Sequence, residues 1–175
     1  MALEVEDGTG KSNADAFDAL ANVKTYWDAK GTDYSSYDDD AIEQAIRRST
    51  SILSNSYTWK GTRVNGRDQA LAWPRYGVED SEGWYVPATE VPKEVKEATA
   101  EIALRELVSP GSMTPDVTLS DKVKREKVGS LEVEYANAQT GAEASRPVLL
   151  IVRDLIGGLL DGGSGSSIVG RAERA

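Results

Sequence analysis

Cysteine and histidine are both missing from this chain. Without cysteine there is no disulfide, no thiolate nucleophile and no sulfur-ligated zinc. Without histidine the commonest general base and the commonest metal ligand go as well, and a Ser-His-Asp arrangement is impossible. Phenylalanine occurs once and hydrophobic residues make up only 39%, so a small core with long polar connections is expected. The longest unbroken apolar run is residues 148–152, far short of the about 18 residues that cross a bilayer. The opening MALEVEDGTG lacks the apolar stretch of a secretory signal. The expectation is a soluble protein of a reducing cytoplasm, with no membrane contact, no metal and no cofactor.

What is present is acid. Across 175 residues, 29 Asp and Glu outnumber 20 Lys and Arg, a net charge of −9. The length suits one domain. The charge repels phosphate backbones, which weighs against general nucleic-acid binding. With so many carboxylates, any two can be imagined as an acid/base pair, and nothing in the sequence singles one pair out.

The pattern along the chain is mainly helical. After an irregular arm, residues 13–31 carry Phe17, Leu20, Val23 and Trp27 at helical spacing, with Asn13 as a cap and Gly31 as a stop. Residues 38–54 give the cleanest stripe: Ile42, Ala45, Ile46, Ser49, Ile52 and Leu53. Asp38, Asp39 and Asp40 sit at its start, where the helix dipole favours negative charge; Arg47 and Arg48 fall on the outer face. Residues 92–109 form a third helix, with Pro92 in the first turn and Pro110-Gly111 after the last. It has two apolar stripes, Val95/Ala98/Ile102 and Ala100/Leu104/Leu107, so burial on two sides is expected.

A hairpin is expected near residues 117–136. Leu131, Val133 and Tyr135 alternate with Glu132 and Glu134, and Gly129-Ser130 fits a two-residue turn. A short apolar helix follows Pro147, without a clear polar face, so its cover comes either from the core or from another protein. The chain closes on a Gly/Ser-rich arm ending in Ile168, Val169, Arg171 and Arg174. The resulting fold class is a small mainly α bundle of about four helices. It carries a hairpin, a long tryptophan-containing loop and an extended arm, divided as residues 1–160 and 161–175.

Four features invite a functional reading. Gly10-Lys11-Ser12 ends like a P-loop, but the first glycine of that motif is replaced by Val5, and Glu4, Glu6 and Asp7 would repel a triphosphate. The Asp38–Asp40 run lacks the alternation of a calcium loop and is explained by helix capping. Between residues 54 and 90, Trp59, Trp73 and Trp84 alternate with Lys60, Arg63, Arg67 and Arg75. That pattern fits stacking and clamping of single-stranded DNA, but the chain's overall charge opposes DNA binding and favours tryptophans that anchor a loop, with arginines paired to acidic neighbours. The terminal arm can gain order on docking.

The order of these segments resembles a known family. The carriers are VEDGTGKSNADAF; Trp59-Lys60-Gly61 followed by Gln69-Ala70-Leu71-Ala72-Trp73-Pro74-Arg75; VPATEVPKEVKEATAEIAL; VKREKVGSLEVEY; and an apolar helix before an arginine-ended tail. Together they look like small tailed-phage proteins, over nearly the whole chain. These include DnaT-like single-stranded-DNA-binding proteins and the head–tail connector proteins (adaptors, or head-completion proteins) of siphophages.

The resemblance implies structural work with no catalytic residues. Such adaptors are helical and form rings, commonly of twelve copies, between the portal protein and the stopper or tail-completion protein. Genomic DNA passes through their lumen without specific binding. The expected location is the virion neck, with the host cytoplasm during assembly. An acidic balance suits such a conduit, since it repels DNA phosphates. On this reading Ile168, Val169, Arg171 and Arg174 contact the portal. Lys124 and Arg125, opposite Glu132 and Glu134, join neighbouring subunits, because complementary charge suits a ring of unlike surfaces. The alternative is a DnaT-like single-stranded-DNA-binding module built on the tryptophan loop.

Overall fold

The computed structural model describes residues 2–115 and 149–162 throughout, and the backbone alone of residues 125–128 and 131–134. Four helices form in the described residues: α1 (Leu20–Ala29), α2 (Asp39–Ser56), α3 (Lys93–Val108) and α4 (Leu150–Ile156). Two antiparallel pairs join them, β1 (Thr62–Arg63) with β2 (Arg75–Tyr76), and β3 (Arg125–Val128) with β4 (Leu131–Glu134). The fold is mainly α, as the apolar spacing predicts. None of the described helices is long and apolar enough to cross a membrane.

Helix α3 is the centre, packing against α1, α2 and α4. Its two stripes each meet a different apolar cluster. Val95, Ala98 and Ile102 join Phe17, Leu53, Trp59, Trp73, Val152 and Ile156. Ala100, Ala103 and Leu107 join Val23, Trp27, Ile42 and Ile46. Polar staples fix α3 between them. The Trp27 indole donates to the Ala100 carbonyl at 3.0 Å. The fully buried Glu106 carboxylate accepts from Arg48 Nε at 2.9 Å and from the Gly111 and Met113 amides. Arg48 is therefore half-buried in a staple, not on an outer face.

The first helix begins six residues later than the spacing suggests, capped at Ala19 and not at Asn13. Asp15 and Ala16 spend their amides on the Glu4 carbonyl, Glu6 donates back to Ala16, and the Phe17 amide goes to Thr50 Oγ1. Backbone groups used in tertiary pairs cannot also start a helix. Asn13 therefore caps nothing, and the opening segment is an ordered loop bridged to Ala16 at Val5. The other end behaves as expected: Gly31 takes φ +67° while Gly31 and Thr32 donate to Asp28 and Trp27, a Schellman motif. Asp38 caps α2, its Oδ1 accepting from the Ala41 amide at 2.8 Å.

Helix α4 is shorter than the sequence suggests and gives way to a 3-10 turn at Gly157–Leu159. Val152, Ile156 and Leu159 enter the core, so this helix finds its main cover within the chain. The segment after it lies along residues 58–60. Lys60 donates its amide to Leu159, Asp161 donates to Thr58, and Leu160 bridges Trp59.

Candidate nucleic-acid interface

The long loop between α2 and α3 is held from inside by one buried glutamine. Gln69 Nε2 donates to the Leu71 and Pro74 carbonyls at 2.9 and 3.1 Å, and its Oε1 accepts from the Asn65 amide. Two tryptophans seal the loop against the helices. Trp59 and Trp73 are buried and meet edge to face, with ring centroids 5.6 Å apart. The short β1–β2 pair then sets Arg63 directly opposite Arg75.

Between this pair and the end of α2 runs an open groove of about 530 Å³. Tyr57, Trp59, Thr62, Arg63, Arg67 and Arg75 are among its walls, and among the described residues no Asp or Glu lines it. Gly61 sits at its edge with φ +66°; a Cβ there would lie 2.0 Å from the Tyr76 carbonyl oxygen, so the strands approach this closely only through glycine.

The three arginines differ in what they do. Arg75 is a staple. Its Nε donates to the Lys60 carbonyl at 2.6 Å, Nη1 to Ala72, and Nη2 to Trp59 and Gly61. Arg63 makes one long bond of 3.4 Å to the Gln69 carbonyl. Arg67 is exposed. Carbonyl partners satisfy hydrogen-bonding capacity without neutralising charge. Among the described residues, none of Lys60, Arg63, Arg67 and Arg75 pairs with a carboxylate. Burial pushes the Arg75 guanidinium below the ordinary arginine value, and the neighbouring Arg63 charge pushes the same way. An opposite charge beside the pair would counter the Arg63 repulsion.

Several cations elsewhere are neutralised, though Lys93, Lys96 and Arg153 have no ion pair among the described residues. Lys30 and Arg105 share Glu101, Arg48 meets Glu106, Arg47 meets Asp15, and Lys24 meets Asp39. The expectation that the loop arginines pair with acidic neighbours is thus not met in the described residues.

The GKS triplet is filled by the chain itself. Gly8, Gly10 and Lys11 turn their amides onto one carboxylate, that of buried Glu6, at 3.0, 2.9 and 2.8 Å. This is the concave nest of amides that a phosphate would use, already holding an internal anion. Lys11 Nζ lies 3.4 Å from Glu4 and 3.3 Å from Asp7.

The remaining sequence candidates fall in different places. Trp84 is not a loop anchor: it is 71% exposed, next to Tyr85 at 74%. Register pairs Arg125 with Glu134 and Lys127 with Glu132 along β3–β4, which brings opposite charges to facing positions within one hairpin. Lys124, Ile168, Val169, Arg171 and Arg174 lie outside the described residues, as does the Gly129-Ser130 turn. Tyr57 and the amide nest around Glu6 were missed by sequence reasoning. An aromatic three residues after Ser54, at the end of a strong helix, carries no signal that it will wall a groove.

Fold and site together define a small mainly α domain that gathers three arginines, with no carboxylate partner among the described residues, into one groove. The family model described as "Putative DnaT-like ssDNA binding protein" matches residues 1–175, and the chain belongs to that family. Comparison with curated proteins and with solved structures returns no match.

Proposed function

We propose that the protein binds single-stranded DNA in the groove beside β1–β2. One observation carries the reading: a chain with nine more acids than bases keeps three arginines and, among the described residues, no acid along a single groove. The family match supports it. Arg63 and Arg67 take the phosphates, Arg75 holds the wall, and Tyr57 offers a face to an unstacked base. The net negative charge repels the rest of a polynucleotide, so the contact is short and weak. If two phosphates are neutralised, the salt slope for a single strand is about −1.4, from roughly −0.7 per phosphate.

The test is fluorescence anisotropy of a labelled oligothymidylate across a salt series. Binding at low salt should fall about tenfold or more in Arg63→Glu and Arg67→Glu, while Lys24→Glu leaves it in place. No binding at low salt, or binding by both arginine variants as tight as the wild type's, refutes the reading.

A second reading is the structural adaptor between portal and stopper or tail components. What favours it is apolar surface on two packed helices: Val108 on α3 is 65% exposed and Leu150 on α4 is 67% exposed. It involves no bond made or broken. Absence of the protein from purified assembled particles would dispose of it.

A further inference from the structure

Residues 78–86 form a rigid knob. Glu79 bridges Tyr85, Asp80 donates its amide to the Trp84 carbonyl at 2.9 Å, and Val86 donates to Val78. The Asp80 carboxylate accepts from the Glu82 and Trp84 amides at 2.8 and 2.9 Å. Lys60 Nζ ties the base through the Glu79 carbonyl at 3.0 Å. All this order holds out two large aromatics, Trp84 and Tyr85, both more than two-thirds exposed. Around them stand Glu79, Asp80 and Glu82, with no basic residue between Val78 and Val86. A fixed, exposed tryptophan ringed by one sign of charge has the composition of an interface anchor.

The groove has the opposite character. It is walled by Arg63, Arg67, Arg75 and Tyr57, with no acid among the described residues, and none of residues 78–86 lines it within the same copy. Acidic aromatic knob and arginine groove therefore complement each other in charge and in shape class, one convex and one concave. Since the knob does not line the groove of its own copy, the groove left for it to enter is that of another molecule.

We infer that the chain self-associates, the Trp84 knob of one copy entering the arginine groove of a second copy, with Glu82 facing Arg67. The contact joins unlike surfaces. It uses the groove assigned above to single-stranded DNA, so the two occupants exclude each other, but the pairing itself does not depend on that assignment.

Sedimentation velocity on the full chain at low salt tests it over a range of concentrations. The wild type should exceed monomer mass and return to monomer as salt rises. Trp84→Ala, Glu82→Arg and Arg67→Glu should each weaken association about tenfold or more. The decisive sample mixes Glu82→Arg with Arg67→Glu. Alone, each sets like charges face to face; mixed, each knob meets an opposite or native groove, and association returns. A wild type that stays monomeric, or a mixture that fails to recover while both variants melt like the wild type, overturns the inference.

Added oligothymidylate should disperse the assembly. Dispersal supports the shared groove, and binding without dispersal overturns it. Rescue in the mixture with no oligonucleotide binding leaves the inference standing and removes the DNA reading instead.

Discussion

Arg63, Arg67 and Arg75 look alike in the sequence and behave differently in the fold. Arg75 bonds four carbonyls, so its loss orphans acceptors on the segments that lead into both β1 and β2. Arg75→Ala should cost about 3 kcal/mol in urea unfolding, from lost charged hydrogen bonds at roughly 1–3 kcal/mol each with partial rehydration. Arg67→Ala, at an exposed site, should stay within about 0.5 kcal/mol of the wild type while lowering oligonucleotide affinity. If both variants unfold alike, the division into staple and ligand contact is wrong. The tryptophans divide the same way. Trp73→Ala removes a fully buried ring and should cost about 3–5 kcal/mol, which makes it a folding variant, not a probe of binding. Trp84→Ala should leave stability unchanged. The sequence held a clue to this difference. Trp84 follows Asp80-Ser81-Glu82-Gly83, a turn-forming run that places its neighbour at a surface tip, whereas Trp73 sits among Leu71, Ala72 and Pro74.

At the scale of elements, α3 was the most legible part of the chain, because its two stripes at helical spacing need two partners whatever those partners are. Its tie to α1 was not legible, since it depends on a polar cluster built across 75 residues. Glu101 of α3 accepts from Tyr26 at 3.0 Å and Lys30 at 2.6 Å on the α1 side, and from Arg105 at 2.8 Å on its own helix. Burial pushes the Glu101 carboxyl up, but the hydrogen bonds from Lys30, Tyr26 and Arg105 outweigh it and hold it below its ordinary value. A carboxyl lowered in the folded state stabilises the fold fully above its ordinary value of 4.5 and loses that contribution as pH falls through the lowered value. Melting followed from pH 7 downward should therefore drop in this acid window, and the drop should shrink in Glu101→Gln, which starts less stable at pH 7. An unchanged acid limb would remove Glu101 from the account. The start of α1 was misjudged for a related reason: residues 15–17 match the helical spacing, but their amides are claimed by Glu4 and Thr50 from elsewhere in the chain.

At the scale of the whole molecule, distant parts of the chain meet behind one groove. The N-terminal loop reaches it through Asn65, whose Nδ2 donates to the Thr9 and Gly10 carbonyls at 2.8 Å, and through the Ala70 amide on Lys11. The C-terminal side reaches it through Leu159, Leu160 and Asp161 along residues 58–60. Sequence reasoning could flag the interleaved bases and tryptophans, but not this convergence, because it rests on hydrogen bonds between segments 55 to 98 residues apart in the chain. A truncation series follows from it. A chain ending after Gly162 keeps these pairs and should melt like the full chain. A chain ending at Arg146 loses Val152, Ile156 and Leu159 from the core. At roughly 1.5–3 kcal/mol per buried apolar side chain the loss is about 5–9 kcal/mol, comparable to the 5–15 kcal/mol that holds a typical domain together. That chain should fail to show a cooperative transition by circular dichroism and should bind no oligothymidylate. If it melted cooperatively and still bound, the groove would not need its C-terminal backing, and its rigidity would have to come from Gln69 and Arg75 alone.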